Sequence, residues 1–335
     1  MKIGEYSTDE SVLVIAEIGN NHEGCYSLAE EMIGLAAEAG AGAVKFQTIV
    51  PDKLVSVSQE DRIEQLKRFQ LTYEEFEKLI KVAKSENIIF LSTPFDIESA
   101  WFLEPLVPAY KIGSGDNDFY PMIEVIARTG KPIIMSAGLM DLCGIRKTVD
   151  FITDIWNKSA IVQELAIMHC VTAYPTIPEE ANLLAIRELH SLNVTVGYSD
   201  HTIGIEAAVL SVALGARIIE KHFTIDKNYS SFRDHQLSSD PKEFSQLVEL
   251  VKNATKLLGQ REKVVQKSEM LVVDKVRRSI VSRKNLDANT IITGDDISWV
   301  RPGSGLAPGN ENMVLGKKLR KRVAAGELIT LNNLI

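Results

Sequence analysis

The sequence has no long apolar run. Although 45% of its 335 residues are hydrophobic, nothing in it reaches the roughly 18 consecutive apolar residues that a membrane span needs. Met1 to Ser11 lacks an apolar stretch flanked by basic residues, so no signal peptide is expected and the reading is of a cytosolic protein without a membrane partner. Cysteine is scarce. Cys25, Cys143 and Cys170 are odd in number and lack metal-type spacing, which argues against a disulfide framework and a zinc ribbon and leaves them as small core residues. Internal repeats and low-complexity segments are missing as well. So is any excess of positive charge: the formal net charge is −8. It is unevenly spread, with eleven Lys and Arg against five Asp and Glu from Lys275 to Ile335, and 26 against 40 in the rest. An acidic body of that size repels a phosphate backbone, so no nucleic-acid partner is expected. The run Lys317, Lys318, Arg320, Lys321, Arg322 then reads as a solvated or docking face.

What is there is a repeated alternation. Short β-rich apolar runs recur at VLVIAEIG (12–19), AVKFQT (43–48), IIFLSTP (88–94), AYKIGS (109–114), PIIMSAG (132–138), LAIMHCV (165–171), VTVGYSD (194–200) and RIIEKHFT (217–224). Between them, segments such as YEEFEKLIKVAKSE space apolar residues three and four apart, as helices do. Eight near-continuous apolar strands alternating with helices predict an α/β chain built as a (β/α)₈ TIM barrel, with a doubly wound open sheet as the alternative. After Gly259 the pattern changes. A charged stretch leads into short β-type pieces punctuated by turns, so residues 1–262 are expected to form the barrel, 263–276 a linker and 277–335 a small, mostly β domain.

Barrels of this kind carry their chemistry at the C-terminal ends of the strands, and polar residues gather there. The eight ends supply Glu17; Lys45 and Gln47; Ser92 and Thr93; Lys111, Ser114 and Asp116; Ser136; His169, Thr172 and Tyr174; Ser199 and His201; and Glu220 and His222. Because side chains alternate along a strand, Glu220 and His222 share one face and Lys221 takes the other. Two lysines, several hydroxyls and the amides of Gly-containing turns (GSGD at 113–116, SAG at 136–138) suit a small phosphorylated anion. His201 and His222, which terminate neighbouring strands, suit an open metal site with water in the remaining positions. His169 reads as a hydrogen-bonded core residue and His190 as a surface one. His22 and His235 are expected in loops over the same rim, within reach of a substrate.

The motifs IAEIGNNHEG (15–24), KFQT (45–48), STPFD (92–96), KIGSGD (111–116), HCVTAYPT (169–176), GYSDHT (197–202) and EKHFT (220–224) together resemble the sialic acid synthase family, whose members condense phosphoenolpyruvate with an N-acyl amino sugar to give nonulosonic acids. The segment from RRSIVSRK to AAGELIT resembles the antifreeze-like (SAF) domain of those enzymes. The resemblance implies a divalent metal on His201 and His222, usually Mn²⁺ with Mg²⁺ or Co²⁺ as alternatives. It also implies phosphoenolpyruvate held by Lys45, Thr93, Lys111, Ser114, Ser136, Thr172 and Ser199. Glu17 would stand beside the reacting carbons. Gln47, Asp116, Tyr174 and Asp234 would face the sugar, joined by Arg301 from the antifreeze-like domain in a domain-swapped homodimer. Asp116 stands where the family pattern often has Glu, and Thr172 where Asn or Ser is usual. SSFRDHQLSS (230–239) replaces a GPDH-like turn and is one residue longer.

In the reaction so implied, carbon 3 of phosphoenolpyruvate attacks the sugar carbonyl carbon, water adds at carbon 2, and phosphate leaves with carbon–oxygen cleavage. Glu17 and Glu220 are candidates for handling protons or for orienting the lysines and a water. Two other classes stay open: a metal-dependent phosphosugar aldolase or isomerase that does not use phosphoenolpyruvate, and a non-catalytic binder of ice or carbohydrate surfaces. The sugar itself is also open among N-acetylmannosamine, a 2,4-diacetamido-trideoxyhexose and a 6-phosphorylated sugar.

Overall fold

A computed structural model describes residues 1–335. Contacts divide the chain into two compact units, Met1–Gly259 and Gln260–Ile335. In the first, the eight apolar runs form eight parallel strands: β1 (Leu13–Gly19), β2 (Ala43–Thr48), β3 (Ile89–Pro94), β4 (Tyr110–Ile112), β5 (Ile133–Ser136), β6 (Leu165–Cys170), β7 (Thr195–Asp200) and β8 (Ile218–His222). Their order in the sheet is β3-β2-β1-β8-β7-β6-β5-β4. The first and last strands therefore pair, with Ile218 opposite Leu13 and His222 opposite Glu17, and β3 lies against β4 without a hydrogen-bonded ladder. This is a nearly closed TIM-type barrel. Pairing of β1 with β8 rules out the open doubly wound alternative.

The pattern follows from burial on both faces. All seven residues of β1 are buried, as a strand must be when side chains fill the barrel on one face and helices cover the other. Inside, Leu13, Ile15, Leu91, Ile134, Met168 and Ile218 pack with Met1 and Ile3 of a short N-terminal hairpin. The lower barrel is thus filled with hydrocarbon, and polar side chains are left to the upper layer. Outside, helix Tyr73–Ser85 is a representative cover. Thr72 caps its start in a reciprocal pair with Glu75, and Phe76, Leu79 and Ala83 bury the stripe that their spacing defines. Each such large apolar side chain contributes about 2 kcal/mol by leaving water. Phe46 on β2 stacks on Phe90 of β3 with ring centroids 5.2 Å apart, so the same strand that aims Lys45 inward is anchored on its other face.

The second unit pairs β9 (Ser279–Ser282) with β10 (Ile297–Val300) in antiparallel register. Isolated bridges such as Val281 to Leu328 and Leu286 to Val323 complete it, around a core that includes Ile280, Ile292, Leu319 and Ile329. Regular strand is sparser than the sequence suggests, because turns separate the β-type pieces before a ladder can extend. Before it, Lys267–Met270 and Val273–Val276 are single helical turns with no buried residue.

Three expectations change. Cys170 is buried, but Cys25 and Cys143 are exposed, since one immediately precedes helix Tyr26–Glu38 and the other lies in the first turn of helix Leu142–Lys158. His22 and His235 do not stand free over the rim. His235 is fully buried, bonded to Thr224 Oγ1 at 2.7 Å and to Glu23 Oε1 at 3.1 Å. His22 is buried beside Phe46, its Nδ1 accepting from the Gly24 amide at 3.0 Å while its Nε2 has no partner.

Burial holds His22 down at about 4, against weaker opposing effects of the Gly19 backbone and of Glu75 and Glu23. With the folded value below the unfolded one, the unfolded chain takes up the proton first. The contribution of His22 is therefore complete above about pH 6.5 and is lost as pH falls toward 4, by about 3 kcal/mol in all. Urea unfolding of the barrel between pH 7 and pH 4 is expected to show this loss, and His22→Phe, which cannot be protonated, to remove that part of the slope. Equal slopes for the two proteins would show that His22 is not held neutral.

Candidate active site

At the upper end of the barrel the inward side chains of adjacent strands form one buried ionic array. Lys45 Nζ on β2 lies 2.9 Å from Glu17 Oε2 on β1 and 3.7 Å from Glu220 Oε1 on β8, and it donates to Thr93 Oγ1 on β3 at 3.2 Å. Lys111 Nζ on β4 donates to Ser136 Oγ on β5 at 2.7 Å and lies 3.7 Å from Glu220 Oε2. Ser199 Oγ on β7 donates to Glu220 Oε1 at 3.1 Å. One carboxylate thus serves two lysines, one on β2 and one on β4.

The environment separates the members of the array. Burial lifts Glu17 above the usual carboxylate range, with Lys45 opposing and Glu220 reinforcing the shift. For Glu220, burial is outweighed by Lys111 and Lys45, which hold it ionised. Lys45 loses hydration too, but Glu17 and Glu220 more than offset the loss and keep its ammonium above the ordinary range. Lys111 falls below that range, because burial is only partly balanced by Glu220 and Lys45 repels it.

The loops after the strands extend the array. A bulge after Glu17 shifts the β1–β2 register, and Gly19 at φ +56° leaves no side chain there; a Cβ would stand 3.2 Å from Glu17 Oε1 and 3.3 Å from Gln47 Nε2. Those two groups can then bond at 3.0 Å, and Asn20 supports Gln47 from its other side at 3.1 Å. After β5, the Gly138 amide donates to Ser114 Oγ at 3.2 Å. A Cβ on Gly138 would lie 2.3 Å from Thr172 Oγ1 and 2.6 Å from Ser114 Oγ, so a side chain at 138 would fill the cradle that these groups surround. Thr172 Oγ1 is buried without a partner. Asn117, which the sequence reading passed over, holds this turn by donating to the carbonyls of Ser136 and Gly138 at 3.1 and 2.8 Å.

Beside the array stand His201 and His222, ring centroids 5.4 Å apart, with Tyr174 4.2 Å from His201 and 6.0 Å from His222. His201 Nδ1 bonds the Val171 carbonyl at 2.7 Å, which fixes the ring and turns Nε2 the other way. Burial, then the charges of His201 and Lys45, keeps His222 well below the imidazole range. Its ring is therefore neutral, and its buried Nδ1 has no partner. His169 is engaged elsewhere, at 2.9 Å from the Ala181 carbonyl.

Above these groups opens a cleft of about 940 Å³. Gln47, Tyr174, Asp234 and His222 line it, as expected; Asp116 does not. Asp116 is half-buried near Asp118, and burial followed by that neighbouring charge raises it to about 6. The sequence reading missed Glu23 and the face of helix Glu60–Phe69 that presents Arg62, Gln65 and Arg68 to the cleft. The unusual 230–239 segment is there as well. Phe232 sits 4.9 Å from Phe69, ring to ring, and the Arg233 guanidinium lies 5.1 Å over the Tyr174 ring. Arg301 belongs to the second unit and is exposed.

Residues 32–263 match the model of the NeuB family. The chain belongs to that family. Residues 277–335 match the SAF domain. The N,N'-diacetyllegionaminic acid synthase of Legionella pneumophila is 37% identical, covering 93% of this chain and 92% of that one. A pseudaminic acid synthase of Campylobacter jejuni is 34% identical over 98% of each. The crystal structure of the N-acetylneuraminic acid synthetase of Leptospira borgpetersenii superposes with a TM-score of 0.76 at 33% identity, covering 81% of this chain and 94% of that one.

The cradle and the two lysines make a testable anion site. Lys111→Ala removes one charge-assisted donor, which corresponds to about 2 kcal/mol or a 30-fold weakening of a bound phosphorylated anion. Gly138→Ala is expected to weaken the same ligand by filling its place, with a smaller effect on any neutral co-substrate. Calorimetric titration with phosphoenolpyruvate checks both; unchanged binding in both variants would move the anion elsewhere.

Proposed function

We propose that the protein is a nonulosonic acid synthase that condenses phosphoenolpyruvate with an N-acyl amino sugar and water, releasing phosphate. The observation that carries this reading is the buried pair Lys45 and Lys111, compensated by Glu17 and Glu220 and flanked by Thr93, Ser136 and Ser199, joined through Gln47, which bonds Glu17, to a cleft large enough for a substituted sugar. Family membership and the activities named for its relatives point the same way.

In this reading the lysines and hydroxyls, with Ser114, Thr172 and the Gly138 amide, hold the phosphate and carboxylate of phosphoenolpyruvate while charge redistributes. Carbon 3 then attacks the sugar carbonyl, water adds at carbon 2, and the carbon–oxygen bond to phosphate breaks. Glu17, raised above the usual carboxylate range by burial, is the carboxyl suited to pass a proton, whereas Glu220, held ionised, orients the two lysines. Gln47, Tyr174 and Asp234 contact the sugar from the cleft wall, Arg301 of a partner chain completes its recognition, and Asp116, which lies outside the cleft, takes no part in it.

Two imidazoles, one neutral with an unpartnered nitrogen and one oriented by a backbone carbonyl, fit a divalent cation such as Mn²⁺. No third His, Cys, Asp or Glu completes a protein cluster around them, so the remaining positions would fall to water and substrate oxygens. A cation bound there would polarise the sugar carbonyl as a Lewis acid.

The deciding experiment is phosphate release from phosphoenolpyruvate with Mn²⁺ across N-acetylmannosamine, 2,4-diacetamido-trideoxyhexoses and 6-phosphorylated amino sugars. Release is expected only with an accepted sugar present, and is expected to stop in His222→Ala or after chelation. Turnover of a phosphosugar without phosphoenolpyruvate would instead favour an aldolase or isomerase. The proposed exchange of antifreeze-like domains in a homodimer gives a separate outcome. Mixing and reassembling His222→Ala with Arg301→Ala is expected to restore activity well above either parent, because one site of the mixed dimer keeps both residues. Confirmed subunit exchange without recovery would place Arg301 outside its partner's site.

A further inference from the structure

The site described so far uses the inward face of β8, Glu220 and His222. Lys221, between them, points to the other face and is fully buried, as is Asp200 opposite it on β7. Their side chains meet at 3.0 Å, and Lys221 Nζ also donates to the Thr202 carbonyl. Asp200 uses its other oxygen on the turn that follows it: Oδ1 accepts from the Thr202 amide at 2.9 Å, from Thr202 Oγ1 at 2.8 Å and from Tyr198 Oη at 3.1 Å. Neither residue lines the cleft or touches the ionic array. Apart from the Tyr198 bond, the polar atoms of the pair are spent on each other and on the three-residue turn Asp200–Thr202, at whose centre stands His201.

Energetics make this arrangement informative. Withdrawing an ammonium and a carboxylate from water costs several kcal/mol each, and apolar residues of the same volume would stabilise a barrel wall as well or better. The return on this pair is geometric. Strand β8 is already fixed by the ladder to β1 and by the bond from the Ser239 amide to the His222 carbonyl at 2.8 Å. The turn after β7 has left the ladder, and what holds it is the Thr176 amide on the His201 carbonyl at 2.9 Å, the Val171 bond to the ring, and Lys221. Of these, only Lys221 comes from the strand that carries His222.

We propose that Lys221 is a positioning residue: through Asp200 and the Thr202 carbonyl it ties the His201 turn to β8 from behind the sheet and so sets the spacing of the two imidazoles. The functional consequence rests on the reading of His201 and His222 as a cation site, while the spacing itself does not. Lys221→Met alone leaves Asp200 buried and unpaired, so the informative variant is Lys221→Met with Asp200→Asn. It keeps an acceptor for Thr202 and Tyr198 and removes the tie. The full-length variant is expected to fold, as read by circular dichroism and thermal melting, with His201 displaced from His222 in its crystal structure. It is also expected to bind Mn²⁺ at least tenfold more weakly by electron paramagnetic resonance titration, while phosphoenolpyruvate binding without metal stays within twofold of the parent. Should the double variant not fold, Asp200→Asn, which weakens only the link to Lys221, gives the same readouts on a smaller scale. A folded variant with the parental ring spacing overturns the proposal. Absence of Mn²⁺ binding in the parent overturns the cation reading alone, since the crystal structure still decides whether the tie sets the spacing.

Discussion

Glu220 is the group on which the upper barrel depends. Two ammonium groups cannot be buried a few ångströms from one another without compensation, and Glu220 reaches both, one oxygen toward Lys45 and one toward Lys111, each at 3.7 Å. These distances are longer than a direct hydrogen bond, so the carboxylate neutralises the lysines without occupying their donors. Lys111 spends its short contact on Ser136 and Lys45 on Glu17 and Thr93. The result is a near-neutral array whose donors are already aimed inward. An arriving dianion meets charge that needs little reorganisation, which is what electrostatic preorganisation means in a water-poor site.

The alternation of side chains on β8 then does two jobs with three consecutive residues. Glu220 and His222 face the barrel interior, and Lys221 faces the wall. A one-residue slip would exchange the faces and bury a lysine among the site's own cations, so the register with β1 and β7 is fixed by electrostatics as well as by packing. The hydrocarbon filling below, from Leu13, Ile15 and Ile218, carries the same register downward and confines polar groups to the top.

Much of this could be read from residue order, because each strand announces itself by apolar continuity and ends in one or more polar residues. AVKFQT coincides with β2, and the other runs exceed their strands by one to three residues. What was not legible depends on contacts between distant segments. Asn117 looks like an ordinary loop residue until its two carbonyl partners across the β5 turn are known. Helix Glu60–Phe69 has mostly polar residues and no catalytic spacing, so its contribution of Arg62 and Arg68 to the cleft had no local signal. His22 and His235 misled for the opposite reason: loop histidines usually meet solvent, and here the Glu23 loop and the end of β8 close over them.

The site is therefore built from two kinds of support. In the proposed reading the anion half stands on strand ends, where a displaced donor would disturb a ladder on either side, and its members are a set of lysines, hydroxyls and carboxylates. The sugar half in that reading stands on helix Glu60–Phe69 and on residues 230–234, where Phe232 meets Phe69 and Arg233 covers Tyr174 through side chains. A change there alters shape and charge at the cleft wall without touching the ladder or Glu220. That asymmetry lets Phe232 and Arg233 be exchanged at small structural cost, whereas Lys45 and Lys111 share one carboxylate and a change at either disturbs the other.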